Sequence, residues 1–102
     1  MSRSLAFLAV VLPALATAQS ATHRLTANPI FEKQCAKCHG KTAEGRHFAG
    51  PSLVSGKSTS LSEEELRNII SNGKGHMPKY AGKLKPEEID ALVHQITEAR
   101  GK

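Results

Sequence analysis

Cys35 and Cys38 stand three residues apart in the stretch CAKCHG, with His39 directly after the second thiol, and they are the only cysteines in the chain. Two thiols and an imidazole at this spacing could do three kinds of chemistry. They could cycle as a dithiol and disulfide, as C-x-x-C pairs do in redox folds. They could contribute to a zinc site, for which His47 would have to supply a fourth ligand. Or both sulfurs could bond to carbon, holding a prosthetic group covalently and leaving the imidazole free to ligate a metal. A second chemistry-bearing residue lies downstream. Met77, in the stretch NGKGHMP, is the only methionine besides Met1. It belongs to no helical apolar stripe, and Gly73, Gly75 and Pro78 surround it with first freedom and then rigidity, which suits a soft thioether ligand better than a core filler. His76 beside it is the rival ligand.

These residues need elements to hold them. The N-terminus carries Arg3, an apolar run from Leu5 to Ala16, and small residues at 16–18, the pattern of a secretory signal cleaved near Ala18. The run is broken by Pro13 and is shorter than the roughly 20 residues of a spanning helix. Cleavage leaves about 84 residues, too few for an apolar core alone to give comfortable stability. One disulfide between Cys35 and Cys38 would close too small a loop to help. Residues 19–27 show no sustained period and read as a flexible leader, so the domain proper runs over 28–102. Within it a helix is expected from Asn28 to Gly40, with Asn28 as N-cap, Pro29 in the first turn and Phe31, Cys35 and Cys38 on one face. Residues 41–60 read as loop with at most one short helical turn. A second helix follows Ser62, whose capping box with Glu65 precedes the stripe of Leu66, Ile69 and Ile70. A third begins at Pro86 and carries Ile89, Leu92, Val93 and Ile96 at helical spacing. No stretch reads as a strand.

Three short helices joined by long loops cannot bury much against one another, and a large flat apolar body between them would complete the core. Haem is such a body. Its two vinyl groups lie on one edge, within reach of two thiols on one helical turn, and His39, four residues after Cys35, shares their face and can meet the iron. The dithiol alternative wants a strand before the motif and an α/β fold, neither of which is present, and the zinc alternative needs neighbouring residues to converge against their geometry.

On these residues the chain resembles the class I c-type cytochromes, small monohaem electron carriers. The likeness runs from about Asn28 to Ile96 and includes CAKCHG, GPSL at 50–53, NGKGHMP and the final amphipathic helix. It implies an all-α cytochrome c fold, about three main helices and loops wrapped around one covalent haem c. It also implies thioethers at Cys35 and Cys38, His39 as proximal and Met77 as distal iron ligand, and a Pro51 carbonyl accepting a hydrogen bond from His39. Tyr80 would sit at the haem rim or reach a propionate, with plain core packing as the alternative. With the sixth iron position filled there is no place for substrate, so the expectation is a periplasmic carrier of single electrons rather than an enzyme. The runner-up is the haem-bearing subunit of an exported dehydrogenase complex, and an open-site haem enzyme or gas sensor is the third reading. The chain departs from the family where the last helix carries Gln95 in place of an aromatic, so Phe31 is expected against Leu92 or Ile96.

The formal charge of +5 is unevenly spread. Acids gather at helix starts, whereas Lys33, Lys37, Lys41, Lys74, Lys79, Lys83 and Lys85 fall in two acid-free windows flanking the ligand residues. A basic rim of this kind suits redox protein donors and acceptors with acidic docking surfaces, and peripheral contact with membrane complexes. A monomer is expected, and an exported haem protein with few aromatics is a poor candidate for binding nucleic acid.

Overall fold

Helix formation starts earlier than the sequence pattern predicts. The computed structural model describes residues 14–100, and α1 spans Ala14–Thr26, so the segment expected as a flexible leader is helical almost to its end. Residues 1–13 of the expected signal lie outside the described residues, and the expected cleavage point after Ala18 falls within α1. Over residues 20–26 the buried apolar positions are Ala21 and Leu25, four residues apart. A partner supplies what periodicity does not: α1 packs along the last helix, and Arg24 Nη2 reaches Glu98 Oε1 at 3.4 Å.

The chain then turns at Asn28, whose Oδ1 accepts the Ile30 N–H at 2.9 Å as an N-cap should. The expected helix from Asn28 to Gly40 is helical throughout 29–39, but its winding widens in the middle. Phe31–Cys35 form a π-turn, in which Ala36 N–H reaches back five residues to Phe31 O, and α2 covers only Ala36–His39. The wider turn carries an extra residue, and Cys35 still packs against the cluster that buries Phe31. Phe31 is driven into the core, while Cys35 and Cys38 stay half-buried.

Residues 41–60 are loop with one 3₁₀ turn at Gly56–Ser60, as the sequence implies. The Arg100 guanidinium pins this loop by donating to Ser58 O and Leu61 O, both at 2.7 Å. α3 spans Glu63–Asn72 and opens on the expected capping box, Glu65 N–H to Ser62 Oγ at 3.0 Å and Ser62 N–H to Glu65 Oε1 at 2.8 Å. α4 spans Pro86–Ala99, with the Glu88 carboxylate accepting the Lys85 N–H at 2.8 Å. Only isolated β-bridges occur among the described residues, and the architecture is all-α.

The core lies where α1, the π-turn, α3 and α4 meet: Leu25, Phe31, Leu66, Ile70, Tyr80, Ile89, Leu92, Val93 and Ile96 form one buried cluster. Phe31 thus shares its cluster with Leu92 and Ile96, as expected once an aromatic is missing from α4. Gln95, the residue in that aromatic's place, accepts a 2.8 Å hydrogen bond from Asn28 Nδ2 and ties the start of the attachment segment to α4. Each fully buried Leu, Val or Phe contributes about 1.5–3 kcal/mol, so this junction fixes where the thiols stand.

Candidate haem-binding site

The His39 ring is positioned from both ends. Its carbonyl accepts the Gly45 N–H at 2.7 Å, which folds the chain back just after α2. Its Nδ1 lies 2.7 Å from Pro51 O. A carbonyl only accepts, so Nδ1 carries the proton and donates, and the neutral ring keeps its lone pair on Nε2. The approach of Pro51 depends on Gly50, where a Cβ would stand 2.8 Å from Cys38 O and 3.1 Å from Cys38 C. The loop is held further by Leu53 N–H to Ala43 O at 2.8 Å and by the Arg46 guanidinium on Lys37 O. His39 itself is 8 % exposed.

Cys35 and Cys38 are both free thiols. Burial, and then the neighbouring Cys38, push the Cys35 thiol up to about 11. A redox C-x-x-C pair has a lowered thiol pKa, into the range of about 3.5–7.5, so Cys35 lies on the wrong side of neutrality for dithiol exchange. The zinc alternative also loses its fourth ligand: His47 is exposed and lies against Phe48, ring centroids 4.1 Å apart. Among the described residues, no three Cys, His, Asp or Glu side chains gather as a metal cluster. Phe48 is 97 % exposed at φ 63°.

Met77 lies in the loop between α3 and α4. Lys74 and Met77 exchange backbone hydrogen bonds of 3.2 and 2.9 Å, and the loop folds back on α3 through Tyr80 N–H to Ile70 O and Ala81 N–H to Ser71 O, each 3.0 Å. Gly73, at φ 80°, admits this return, because a Cβ there would lie 2.6 Å from Met77 O. Met77 is half-buried and packs against the same cluster as Cys35, whereas His76 is exposed.

Tyr80 is buried, and its O–H donates to Gln34 O at 3.0 Å, which leaves that proton committed to the backbone. Burial, then Cys35 and Cys38, raise its phenol above the ordinary value, so the ring faces the attachment segment. Lys83 Nζ lies 5.5 Å from the ring centroid. The Gln34 carbonyl and the π-turn it belongs to carry no sequence signal, and neither does the pairing of Asn28 with Gln95. The donor set fits a covalently held haem: two half-buried thiols on one turn, an imidazole whose Nδ1 is engaged by Pro51 O, and a thioether packed against the same core.

The comparisons agree with that geometry. Residues 25–95 match the family described as cytochrome C oxidase, cbb3-type, subunit III, and the chain belongs to this family of c-type cytochromes. It is 42 % identical over 73 residues to cytochrome c-551 of Bacillus subtilis (strain 168), which covers 70 % of this chain and 59 % of that protein. It is 32 % identical over 73 residues to cytochrome c6 of Gracilaria tenuistipitata var. liui, covering 66 % of this chain and 64 % of that one. Against the menaquinol:cytochrome c reductase cytochrome c subunit of B. subtilis (strain 168), identity is 35 % over 74 residues, 72 % of this chain but 28 % of the subunit. The chain thus spans less than two thirds of the length of these relatives. Among solved structures, the c-type cytochrome NirC superposes with a TM-score of 0.60 at 26 % identity, covering 74 % of this chain and 86 % of that one. The cofactor of the family is covalently bound haem c with its iron, and Cys35, Cys38 and His39 occupy its C-x-x-C-H attachment motif.

Proposed function

We propose that this chain is an exported carrier of single electrons, with haem attached through Cys35 and Cys38 and iron held between His39 and Met77. The observation that carries the reading is the 2.7 Å hydrogen bond from His39 Nδ1 to Pro51 O. It fixes the tautomer that leaves Nε2 for a metal, and it raises the basicity of the ring. When bound, the haem iron supplies a ferrous/ferric couple, which imidazole and thioether ligation together shift toward the ferrous form. The chain's own part is to hold and to shield. The thiols anchor one edge, Gly50 and Pro51 orient the imidazole, and the Met77 loop closes the far side and keeps water and substrates from the metal. A filled sixth position makes the protein a carrier rather than an enzyme.

The partner side follows from charge. All seven lysines of the two windows are exposed, and the ion pairs among the described residues, Arg24 with Glu98 and Arg67 with Asp90, involve none of them. Unpaired cations of this kind favour redox partners with acidic docking surfaces. The signal pattern of residues 1–18 directs the chain to the periplasm, where it works as a monomer. No helix among the described residues is long and apolar enough to cross a membrane.

A second reading is an electron-transfer module held permanently in a larger assembly. It is favoured by the likeness to the reductase subunit and to the cbb3-type oxidase subunit CcoP of Helicobacter pylori, each matched over less than a third of its length. Mild cross-linking of the native protein separates the two readings. The test of the site is spectroscopic. The mature protein should carry the mass of one haem that survives acid-acetone extraction, and its oxidised form should show the weak long-wavelength sulfur-to-iron band. Met77→Ala should abolish that band and admit cyanide. An extractable haem, or a wild type without the band at neutral pH, sinks the reading.

A further inference from the structure

Tyr80 follows Met77 by three residues in a loop, yet it is only 4 % exposed. The hydrogen bonds of this loop are otherwise local. Gly73, Tyr80 and Ala81 donate to the end of α3, Lys74 and Met77 bond each other, and Lys83 and Leu84 donate to Tyr80 O. The exception is the Tyr80 hydroxyl, which crosses 46 residues of sequence to Gln34 O. Among the described residues it is the one hydrogen bond between the Met77 loop and the segment that carries both thiols and His39. Its acceptor stands one residue before Cys35, inside the π-turn. Such turns are frequent at functional sites, where they re-aim the residues that follow.

We infer that Tyr80 is a positioning residue for Met77, its hydroxyl bond to Gln34 holding the Met77 loop closed against the haem-attachment segment. The inference rests on the reading of Met77 as iron ligand. Any local opening that swings the loop away from residues 34–39 breaks this bond, so the bond sets part of the closed-to-open ratio. The Asn28–Gln95 bond joins the attachment segment to α4 and survives such an opening. It contributes to the stability of the whole fold and leaves the local ratio untouched.

An external ligand that competes with Met77 binds only the open form, so its apparent affinity scales with the open fraction. Ferric holoprotein is titrated with imidazole and followed by absorption, for wild type, Tyr80→Phe, Asn28→Ala and Met77→Ala, with a denaturant midpoint recorded for each. Tyr80→Phe keeps the ring, its packing and the Lys83 contact and removes one oxygen. A single hydrogen bond corresponds to about a 2- to 13-fold change in an equilibrium, so Tyr80→Phe should bind imidazole about 2- to 13-fold more tightly. Asn28→Ala should lower the denaturant midpoint and leave imidazole affinity at the wild-type value. A Tyr80→Phe protein with wild-type affinity, or an Asn28→Ala protein whose affinity rises as far, overturns the inference. If Met77→Ala alters neither the oxidised spectrum nor the affinity, the ligand reading itself has failed; if it alters both while Tyr80→Phe does not, only the role of Tyr80 is lost.

Discussion

Replacing Gly50 with alanine puts a methyl carbon 2.8 Å from Cys38 O, 3.1 Å from Cys38 C and 3.3 Å from Cys38 Cβ. These neighbours are backbone or the root of an attachment side chain, so they cannot swing aside, and the loop carrying Pro51 must retreat by several tenths of an ångström. Overpacking of this kind costs about 1–3 kcal/mol, which for a domain below 100 residues lowers the melting temperature by roughly 4–8 °C per kcal/mol. The second effect is on the ligand. A retreat of half an ångström stretches the 2.7 Å His39–Pro51 bond to the usual limit of about 3.2 Å. The imidazole then becomes less basic and stabilises the ferric form less, so the reduction potential rises. A net hydrogen bond is about 0.5–1.5 kcal/mol, and a one-electron couple shifts by about 59 mV per tenfold change in equilibrium. The upper bound is therefore a rise of about 60 mV, since only the difference between oxidation states counts. Potentiometric titration and thermal unfolding of the holoprotein measure both effects. Gly82→Ala is the control, because a Cβ there meets nothing within 4 Å and only the φ of 91° is strained. It should lose stability with no change in potential. If Gly50→Ala keeps the wild-type potential while losing stability, the Pro51 carbonyl does not tune His39.

Two further outcomes concern regions remote from His39. Lys37, Lys74 and Lys79 replaced together by glutamine should flatten the salt dependence of the bimolecular rate with a protein redox partner, because screening lengths fall from about 10 Å at 0.1 M to about 3 Å at 1 M; Lys57→Gln, outside the two windows, should leave the slope alone, and equal effects would reduce the lysines to mere solvation. Leu25→Ala in the mature protein should cost about 2–5 kcal/mol by denaturant unfolding, since Leu25 is fully buried between α1 and the core; an unchanged midpoint would return residues 19–27 to a free leader.

The parts of the fold legible in sequence are those with local causes. The capping box at Ser62 and Glu65, the proline opening α4 and the apolar stripes of α3 and α4 act within a few residues of where they are written. The approach of Pro51 to His39 is foreseen by the family resemblance, and Gly50 explains why the approach is sterically open. What was illegible depends on distant partners. α1 packs along α4 and buries Ala21 and Leu25, a spacing that by itself makes no sustained period. The π-turn at Phe31–Cys35 answers to a core that takes Phe31 and to a hydroxyl on Tyr80, neither of which its own residues announce. Tyr80 is expected at the haem rim, at a propionate or simply in the core, and the backbone acceptor that its hydroxyl finds at Gln34 has no signal in the sequence.

The two ties that fasten the N-terminal half to α4, Asn28 with Gln95 and Arg24 with Glu98, span 67 and 74 residues of sequence. Seen in time rather than in space, the thiols leave the ribosome well before the helix that will lock their segment has been made. At about 5–20 residues per second, several seconds separate Cys38 from Gln95. Closing so long a loop is the late, slow part of assembly. The attachment segment therefore passes through a period in which both sulfurs are on an unfastened chain, open to any covalent chemistry that requires access from more than one side, and the last helix ends that period by arriving.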